Sequence, residues 1–514
     1  MTESATGPKY GGAVTTYIRR DPVFDPIKSA SAVEARQLQH AVFSSLLELK
    51  WPGSACEVET IGDAAQSWKW ITDTTVEVKL IPGIRFHNRA PVNGREVVAE
   101  DVAYSFKRLM SLESLSTTKE YTQYVTAVEA VDRYTVRFHL SQPYAPFEQH
   151  VLRSQYGAII LAREAGGPKE DWSRPEISYI GSGPFSLEKY TTGVGVVLAK
   201  NKDYFKKGVP YIDELRMLFM PDTSTRQAAF RAGKLDFIQD IPGPYLREIQ
   251  KTMPDVGIAR CGSGVGTGIQ FRTDLPPFND VRVRRAVSMA INREALLSAP
   301  MGGVGESYGL ASSAMETALR RDEFPPGTRK YLEYHPDEAR TLLAEAGNPE
   351  IEIWASTRWG YPRTGMFEAA IIMFGDAGFR IRQNRWMEAA AYINTVTAGD
   401  YPPGVVALGA VSLYSPYDLA NQVYGKGSPT ANPSRISDPL LDRLIEDFFR
   451  TYDDAKTVTL SSDIQIRTVD QAYLIVFPQM QSTAAWHPWV RNFGGVVSLP
   501  HFSRGLLERI WVER

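Results

Sequence analysis

Three residues in chain order offer nucleophilic chemistry: Ser307, within Gly305-Glu306-Ser307-Tyr308-Gly309, then Asp418 and His487. The Gly-x-Ser-x-Gly spacing and the Ser, Asp, His order fit a hydrolase elbow, in which a strand directly before the serine and a helix directly after it expose the hydroxyl. Here a helical stretch and Pro300-Met301-Gly302-Gly303 precede the motif, which speaks against that turn. A metal centre has no support from spacing. His40, His87, His139, His150, His335, His487 and His501 include no His-x-x-x-His or His-Glu-x-x-His pair that would set two imidazoles on one helix face. The glycine-rich residues 262–268 would cradle a phosphate only between a strand and a helix N-terminus, and Ile269-Gln270-Phe271 reads as a strand instead, so a flexible crossing is expected there. Binding chemistry remains. Arg358-Trp359-Gly360-Tyr361 sets a guanidinium able to grip a carboxylate or phosphate through two parallel hydrogen bonds beside flat faces suited to sugar rings or side chains. Trp386, Tyr414, Tyr417 and Trp486 are further aromatic candidates.

Composition narrows the classes. At roughly 150 residues per domain, 514 residues suggest about three packed units. Hydrophobic residues at 43% and charged residues at 23% are ordinary for a globular protein, and a net charge of −2 leaves no basic footprint for nucleic acid or an anionic membrane. Cys56 and Cys261 are too few for a disulfide framework, and with no local feature joining them no mutual bridge is expected. No stretch approaches the ~18 apolar residues of a membrane helix, and Met1-Thr2-Glu3-Ser4 lacks the basic and apolar parts of a signal peptide, which suits either a mature form or a cytosolic protein.

The elements that must carry these residues alternate between strand and helix. Val76, Val78 and Leu80 face one way along a strand, a Pro82-Gly83 turn leads to Phe86-His87, and a helix opens at Ala99-Glu100-Asp101-Val102 with Val102, Phe106, Leu109 and Met110 on one stripe. Gln39 through Leu47 reads as one helix. Gly181-Ser182-Gly183-Pro184-Phe185, then Asn201-x-x-Tyr204, then Pro210-x-x-Asp213 lead between strands. Val283, Val287, Ala290 and Ile291 form the buried stripe of a helix whose arginines are expected on its outer face. Downstream, a helix from His335-Pro336 to Gly347, a strand at Ile351, a helix over 367–378 and a strand at Phe379 give a βαβ rhythm, hence an α/β lobe with a largely parallel sheet.

These segments resemble, in order and over most of the chain, the solute-binding proteins of ABC importers in the peptide/nickel (oligopeptide-binding) class: the strand, Phe-His turn and Ala-Glu-Asp-Val helix; Gly-x-Gly-Pro-Phe; Asn-x-x-Tyr; Pro-x-x-Asp; and the Pro-x-x-Ala-x-x-Leu-Leu helix. The resemblance implies an α/β fold of periplasmic-binding-protein type, with two lobes, a hinge and an extra subdomain on one lobe. The expected layout is 11–48 as the first part of lobe I, 49–180 as its extra subdomain, 181–263 as its second part, 264–475 as lobe II, and 476–514 as the return to lobe I. It further implies a non-enzymatic monomer in the periplasm or anchored at the cell surface as a lipoprotein, with no cofactor and no nucleic acid. Such a receptor captures a small solute in an interlobe cleft and delivers it to a membrane permease, by a closure that follows when ligand binds the closed state preferentially.

Peptide-binding members of this class pair an Asp with the peptide α-amino group. In the matching segment here Leu413 takes the Asp position, so ordinary peptide recognition would need Asp418 to substitute. The residues expected at the solute are Gln270, Arg272, Arg358, Trp359, Tyr361, Trp386, Tyr414, Tyr417, Asp418 and Trp486, for an oligosaccharide, peptide-like or opine-like ligand. The competing reading is a serine hydrolase using Ser307.

Overall fold

The computed structural model describes residues 7–22, 24–28, 33–50, 59–111, 122–152, 158–167, 171–262, 264–313, 315–357, 362–413, 415–427, 432–493 and 504–514. The chain divides into two compact units, one formed by residues 1–241, 247–260 and 482–514, the other by 242–246 and 261–481. The last crossing comes after Gln481, and Ile475–Val476, which pairs with Gly268 and Ile269, belongs to the second unit.

In the first unit, Ala13–Ile18 lies parallel to Glu214–Phe219, which continues antiparallel to Gly195–Lys200 and then Phe185–Thr191. A second sheet is an antiparallel set in the order Ala65–Thr72, Thr75–Leu80, Thr135–Leu140, Val125–Asp132. Val76, Val78, Val136 and Phe138 are buried there, along with Val102, Phe106 and Leu109 of the helix Ala99–Ser111. On the same sheet Lys69, Glu77, Arg137 and Glu129 alternate in sign across the four strands at 3.6, 3.0 and 3.6 Å. His139 extends this row, 3.3 Å from Glu129, on the half-exposed strand face expected for it.

The helix expected to reach Leu47 is Val33–Val42, and Leu47–Lys50 is a strand. The backbone beyond Val42 bonds elsewhere: Val42 O accepts from Gly183 N (2.9 Å), Ser44 O from Ile160 N (2.8 Å), and Ser45 bridges Ile159. This explains the Gly-Ser-Gly motif, since a Cβ on Gly181 would stand 2.0 Å from Val42 O. His87 closes the same corner, its backbone N–H reaching Gly181 O and its Nε2 bonding Gly183 O at 3.1 Å. Burial lowers the His87 pKa to about 4, so the ring is neutral and serves as a structural bridge.

A buried ionic cluster joins the helix Arg504–Arg509 to this unit. Arg504 donates to Asp63 and to Phe43 O, while Lys206 Nζ lies 2.5 Å from Glu48, 3.1 Å from Asp63 and 3.4 Å from Glu508. Three carboxylates share two cations, and burial raises the pKa of Glu508, whose Oε2 accepts from Tyr204 at 2.8 Å.

The second unit holds a five-stranded sheet in the order Arg380–Met387, Glu350–Ser356, Val405–Ser412, Val265–Gln270, Ile475–Val476. The first three strands are parallel, as the βαβ rhythm predicts, and the last two pairings are antiparallel, so the sheet is mixed. The expected glycine-rich loop is mostly strand. A Cβ on Gly266 would stand 2.7 Å from Gln479 Oε1, and one on Gly268 would stand 2.6 Å from Ile475 O, so these glycines admit close neighbours rather than flexibility. Arg282 is exposed as expected and Arg285 half-buried, but Arg284 of the helix Val281–Met289 and Arg293, which opens the next helix, depart from expectation. Arg284 and Arg293 are buried because backbone carbonyls accept their N–H groups: Phe278 O and Gln471 O for Arg284, Val476 O, Ser288 O and Leu332 O for Arg293. Cys261 is disulfide-bonded, against expectation, and the chain's other cysteine, Cys56, lies outside the described residues. No helix of the described residues is long and apolar enough to cross a membrane.

Two stability predictions follow from these contacts. Gly181→Ala is expected to lose about 1–3 kcal/mol in denaturant unfolding through backbone overpacking, whereas Gly327→Ala, with open space around its Cβ, stays within about 0.5 kcal/mol of wild type. For Glu508 the folded pKa is above the unfolded one, so its contribution is full below the unfolded carboxylate range and is lost as pH rises through the folded pKa. Glu508→Gln should therefore gain on wild type in unfolding midpoint between pH 4 and pH 8; a difference that is flat with pH refutes the protonated carboxyl.

Candidate functional site

In open α/β sheets the crevice outside the carboxyl ends of the strands is where ligands bind. At that edge of the second unit's sheet, Glu350–Ser356 and Arg380–Met387 end level with one another, Ser356 opposite Met387. Val405–Ser412 projects further and turns through Leu413, whose N–H reaches Gly264 O at 2.6 Å. The segment carrying Arg358, Trp359 and Tyr361 springs from this edge. Those three residues and Tyr414 lie outside the described residues, but both flanks of the segment are fixed. Thr357 donates its N–H to Met387 O at 2.9 Å and its hydroxyl to the same oxygen at 3.2 Å, and Arg363 Nε reaches Thr267 Oγ1 at 3.2 Å. Arg363 opens the fourteen-residue helix Arg363–Asp376, which buries Met366, Phe367, Ala370 and Phe374 and has no side-chain N-cap.

Trp386 is the penultimate residue of its strand, half-buried, with its ring centroid 6.3 Å from that of Phe367. Gln270 belongs to different surroundings. It is level with Ala407, Trp354 and Arg385, whereas Trp386 is level with Ala355, Leu408 and Ile269, so the two side chains leave opposite faces of the sheet. Along the strand Gln270 is only one residue, about 3.4 Å, from the level of Trp386, so the face rather than the depth parts the two. Arg272 is further than Gln270 from the carboxyl edge. It forks onto Asp274 at 2.7 and 2.6 Å and donates to Gly399 O at 3.0 Å. The pairing with Asp274 raises its pKa. The sheet register thus sets Gln270 and Trp386 on opposite faces.

Asp418 and Tyr417 are held by local structure. Ser415 caps the helix Pro416–Val423, accepting from Asp418 N–H, while Asp418 Oδ2 accepts from Ser415 N–H at 3.0 Å and from its hydroxyl at 2.9 Å. Asp418 is only 2% exposed, and this capping box engages its Oδ2. Leu413 is fully buried. Tyr417 packs on Phe448 at 4.5 Å between centroids, and burial pushes its phenol up to about 12. In the first unit Trp486 ends the strand Gln479–Trp486, 5.0 Å from Phe493 between centroids, over Gly257, where a Cβ would stand 2.1 Å from the indole.

The hydrolase reading fails on geometry. Only the two-residue strand Gly305–Glu306 precedes Ser307, no helix follows it directly, and its hydroxyl accepts from Arg321 Nη2. Asp418 is engaged in the cap, and His487 Nε2 bonds Phe230 O at 2.8 Å with its ring stacked 4.1 Å from Trp489. Among the described residues no group of three metal-ligating side chains gathers. What residue spacing did not reveal is an open basin of roughly 450 Å³ on the second unit, walled by Ser307 and the guanidiniums of Arg320, Arg321 and Arg329. Its only sequence signal is the dense charge run Arg320-Arg321-Asp322-Glu323.

A family model described as "Bacterial extracellular solute-binding proteins, family 5 Middle" matches residues 59–430. Di/tripeptide-binding protein 1 of Pseudomonas aeruginosa is 26% identical over 468 residues, covering 86% of this chain and 84% of the relative. Among solved structures, DppA from Helicobacter pylori in complex with peptide STSA superposes with a TM-score of 0.80 at 20% identity, covering 98% of this chain and 99% of that one. AgaA from A. tumefacien R10 in complex with agropinic acid gives 0.81 at 22% identity, over the same shares. The fold is therefore the periplasmic-binding-protein fold.

Asp418→Ala is expected to cost about 1 kcal/mol of unfolding free energy through loss of the cap, while Asp418→Ala and Arg272→Ala each leave the Kd of a bound solute within twofold of wild type by titration calorimetry. A tenfold or greater loss in either variant would return that residue to the site.

Proposed function

The chain belongs to the bacterial extracellular solute-binding proteins, family 5, and is a solute receptor of an ABC importer; from this premise we propose that its cargo is an acidic, hydroxyl-rich small molecule of the opine type, bound without chemical change. The observation that carries this reading is the balance of charge at the carboxyl edge. Asp418 is spent on a helix cap and Leu413 is buried, so that edge has no carboxylate from these positions for an α-ammonium group. The same edge has the uncapped N-terminus of the helix Arg363–Asp376, whose amides and dipole favour an anion, and Arg358 precedes it by five residues. Trp359, Tyr361, Trp386 and Tyr414 supply aromatic faces for a sugar-like body. AgaA, which carries agropinic acid, shares the fold, as does DppA, which carries a peptide.

The receptor works with a membrane permease, and we take it to be a monomer. The disulfide at Cys261 supports an oxidising compartment, consistent with a periplasmic or cell-surface protein. Lipid anchoring belongs to the same proposal.

A thermal-shift panel of dipeptides, tripeptides, neutral oligosaccharides and opines separates the classes, because a ligand of the folded state stabilises by about 2.7 kcal/mol at a hundredfold excess over its Kd. Opines are expected to raise the midpoint, with the shift at least halved in Arg358→Ala and in Trp359→Ala. A shift from free dipeptides or tripeptides alone would overturn the cargo assignment while leaving the receptor intact.

A further inference from the structure

The arginine-walled basin is independent of the solute reading, and its lining comes entirely from the second unit. Its charges are matched in number, Arg320, Arg321 and Arg329 against Glu294, Asp322 and Glu333, but its hydrogen-bonding capacity is not. A guanidinium carries five N–H donors in a planar fork. Arg321 spends only Nη2, on Glu294 Oε1 (3.1 Å), Ser307 O (3.0 Å) and Ser307 Oγ. Its Nε and Nη1 have no acceptor among the described residues. Arg329 approaches Glu333 with Nε at 3.5 Å, and Arg320 meets Asp322 through Nε at 3.4 Å and Glu323 through Nη2 at 3.2 Å. The basin is therefore rich in unengaged donors.

A second observation comes from behind the wall. Arg293, adjacent in sequence to Glu294, is 5% exposed, and every acceptor around its guanidinium is neutral: Val476 O, Ser288 O, Leu332 O and Ser288 Oγ, at 3.0–3.2 Å. No carboxylate among the described residues pairs with it, and it stands near enough to Arg321 for the two charges to repel. A buried cation without a counterion is costly. Counting both Arg293 and Glu323, four cations meet four carboxylates around the basin, so it is the free forks of Arg321 and Arg329, rather than an excess of charge, that an oxyanion would engage bidentately.

We propose that this basin is a binding site for a small multivalent oxyanion of the phosphate or polycarboxylate class, with Arg321 and Arg329 as its principal donors and Arg320 at its rim. The anion stabilises the second unit whether or not cargo is present, so the site couples the receptor's stability to the ionic content of its surroundings.

The test uses the full chain, titrated with inorganic phosphate and separately with citrate, against sodium chloride of equal ionic strength, with the unfolding midpoint as readout. Wild type is expected to give a saturable rise with at least one anion. Arg320→Gln/Arg329→Gln, both partly exposed, should unfold at the wild-type midpoint in chloride and bind that anion at least tenfold more weakly. A phosphate response exceeding that to citrate assigns a tetrahedral ligand, and the reverse assigns a carboxylate. Absence of a saturable rise with either anion, or an undiminished response in the double variant, overturns the proposal. Neither result bears on opine binding, which is read separately.

Discussion

The pairing of one strand, Val405–Ser412, decides which elements of the second unit share the carboxyl edge of its sheet. It is hydrogen-bonded parallel to Glu350–Ser356 on one side and antiparallel to Val265–Gln270 on the other. The parallel partner brings a strand end, and the segment with Arg358 and Trp359, to the same edge as its own carboxyl end. The antiparallel partner starts at that edge and carries its C-terminal residues away from it. Because side chains alternate, one residue of register also chooses the face, which is why Gln270 and Trp386, nearly level in the sheet, leave it on opposite sides. Gly266 and Gly268 make the pairing possible, since their missing side chains leave room for Gln479 and for the carbonyl of Ile475.

The same constraint explains the buried arginines. Where helices such as Val281–Met289 and Pro336–Glu345 pack together, carbonyls at the ends of neighbouring elements lack intrahelical partners, and each must be satisfied. Arg284 and Arg293 do this with long, forked side chains, reaching Gln471 O and Val476 O from residues nearly two hundred positions away in sequence. The first unit solves a similar closure differently, with Arg504 and Lys206 among three carboxylates. Neutral acceptors leave the cation's charge uncancelled, whereas carboxylates leave one negative charge in excess, absorbed by a raised pKa at Glu508. The two units thus carry opposite electrostatic residues of the same packing problem.

Much of the scaffold was legible. The period-two strand Thr75–Leu80, the amphipathic helix Ala99–Ser111, the helix Pro336–Glu345 and the parallel βαβ strands follow from periodicity and end signals that act locally. The Gly181-Ser182-Gly183 motif was legible as a landmark but not as to cause, which is a contact with Val42 about 140 residues upstream. Antiparallel entry of Val265–Gln270 was not legible, because strand direction within a sheet is a property of topology and a glycine-rich strand lacks the side-chain alternation that would announce it. The arginines of the helix at residue 281 were assigned outward because charge usually is outside, and this holds for Arg282, but Arg284 turned inward because carbonyls waited there.

Asp418 shows where a closer reading of sequence suffices. Ser415-Pro416-Tyr417-Asp418 is a serine, a proline at the first helical position and an acidic residue three after the cap, a helix start by composition alone. A carboxylate in that position accepts from the cap's own N–H, and taking it for ligand recognition would leave a buried backbone donor unsatisfied at a cost of about 1–3 kcal/mol. A site that needed an ammonium partner would therefore have to draw it from elsewhere. The edge that the sheet does provide, with an uncapped helix start behind Arg358, offers donors rather than acceptors. Recognition of an anion thus rests on donors that the fold leaves unsatisfied, and an ammonium partner at Asp418 would have to share the carboxylate whose Oδ2 the cap already engages.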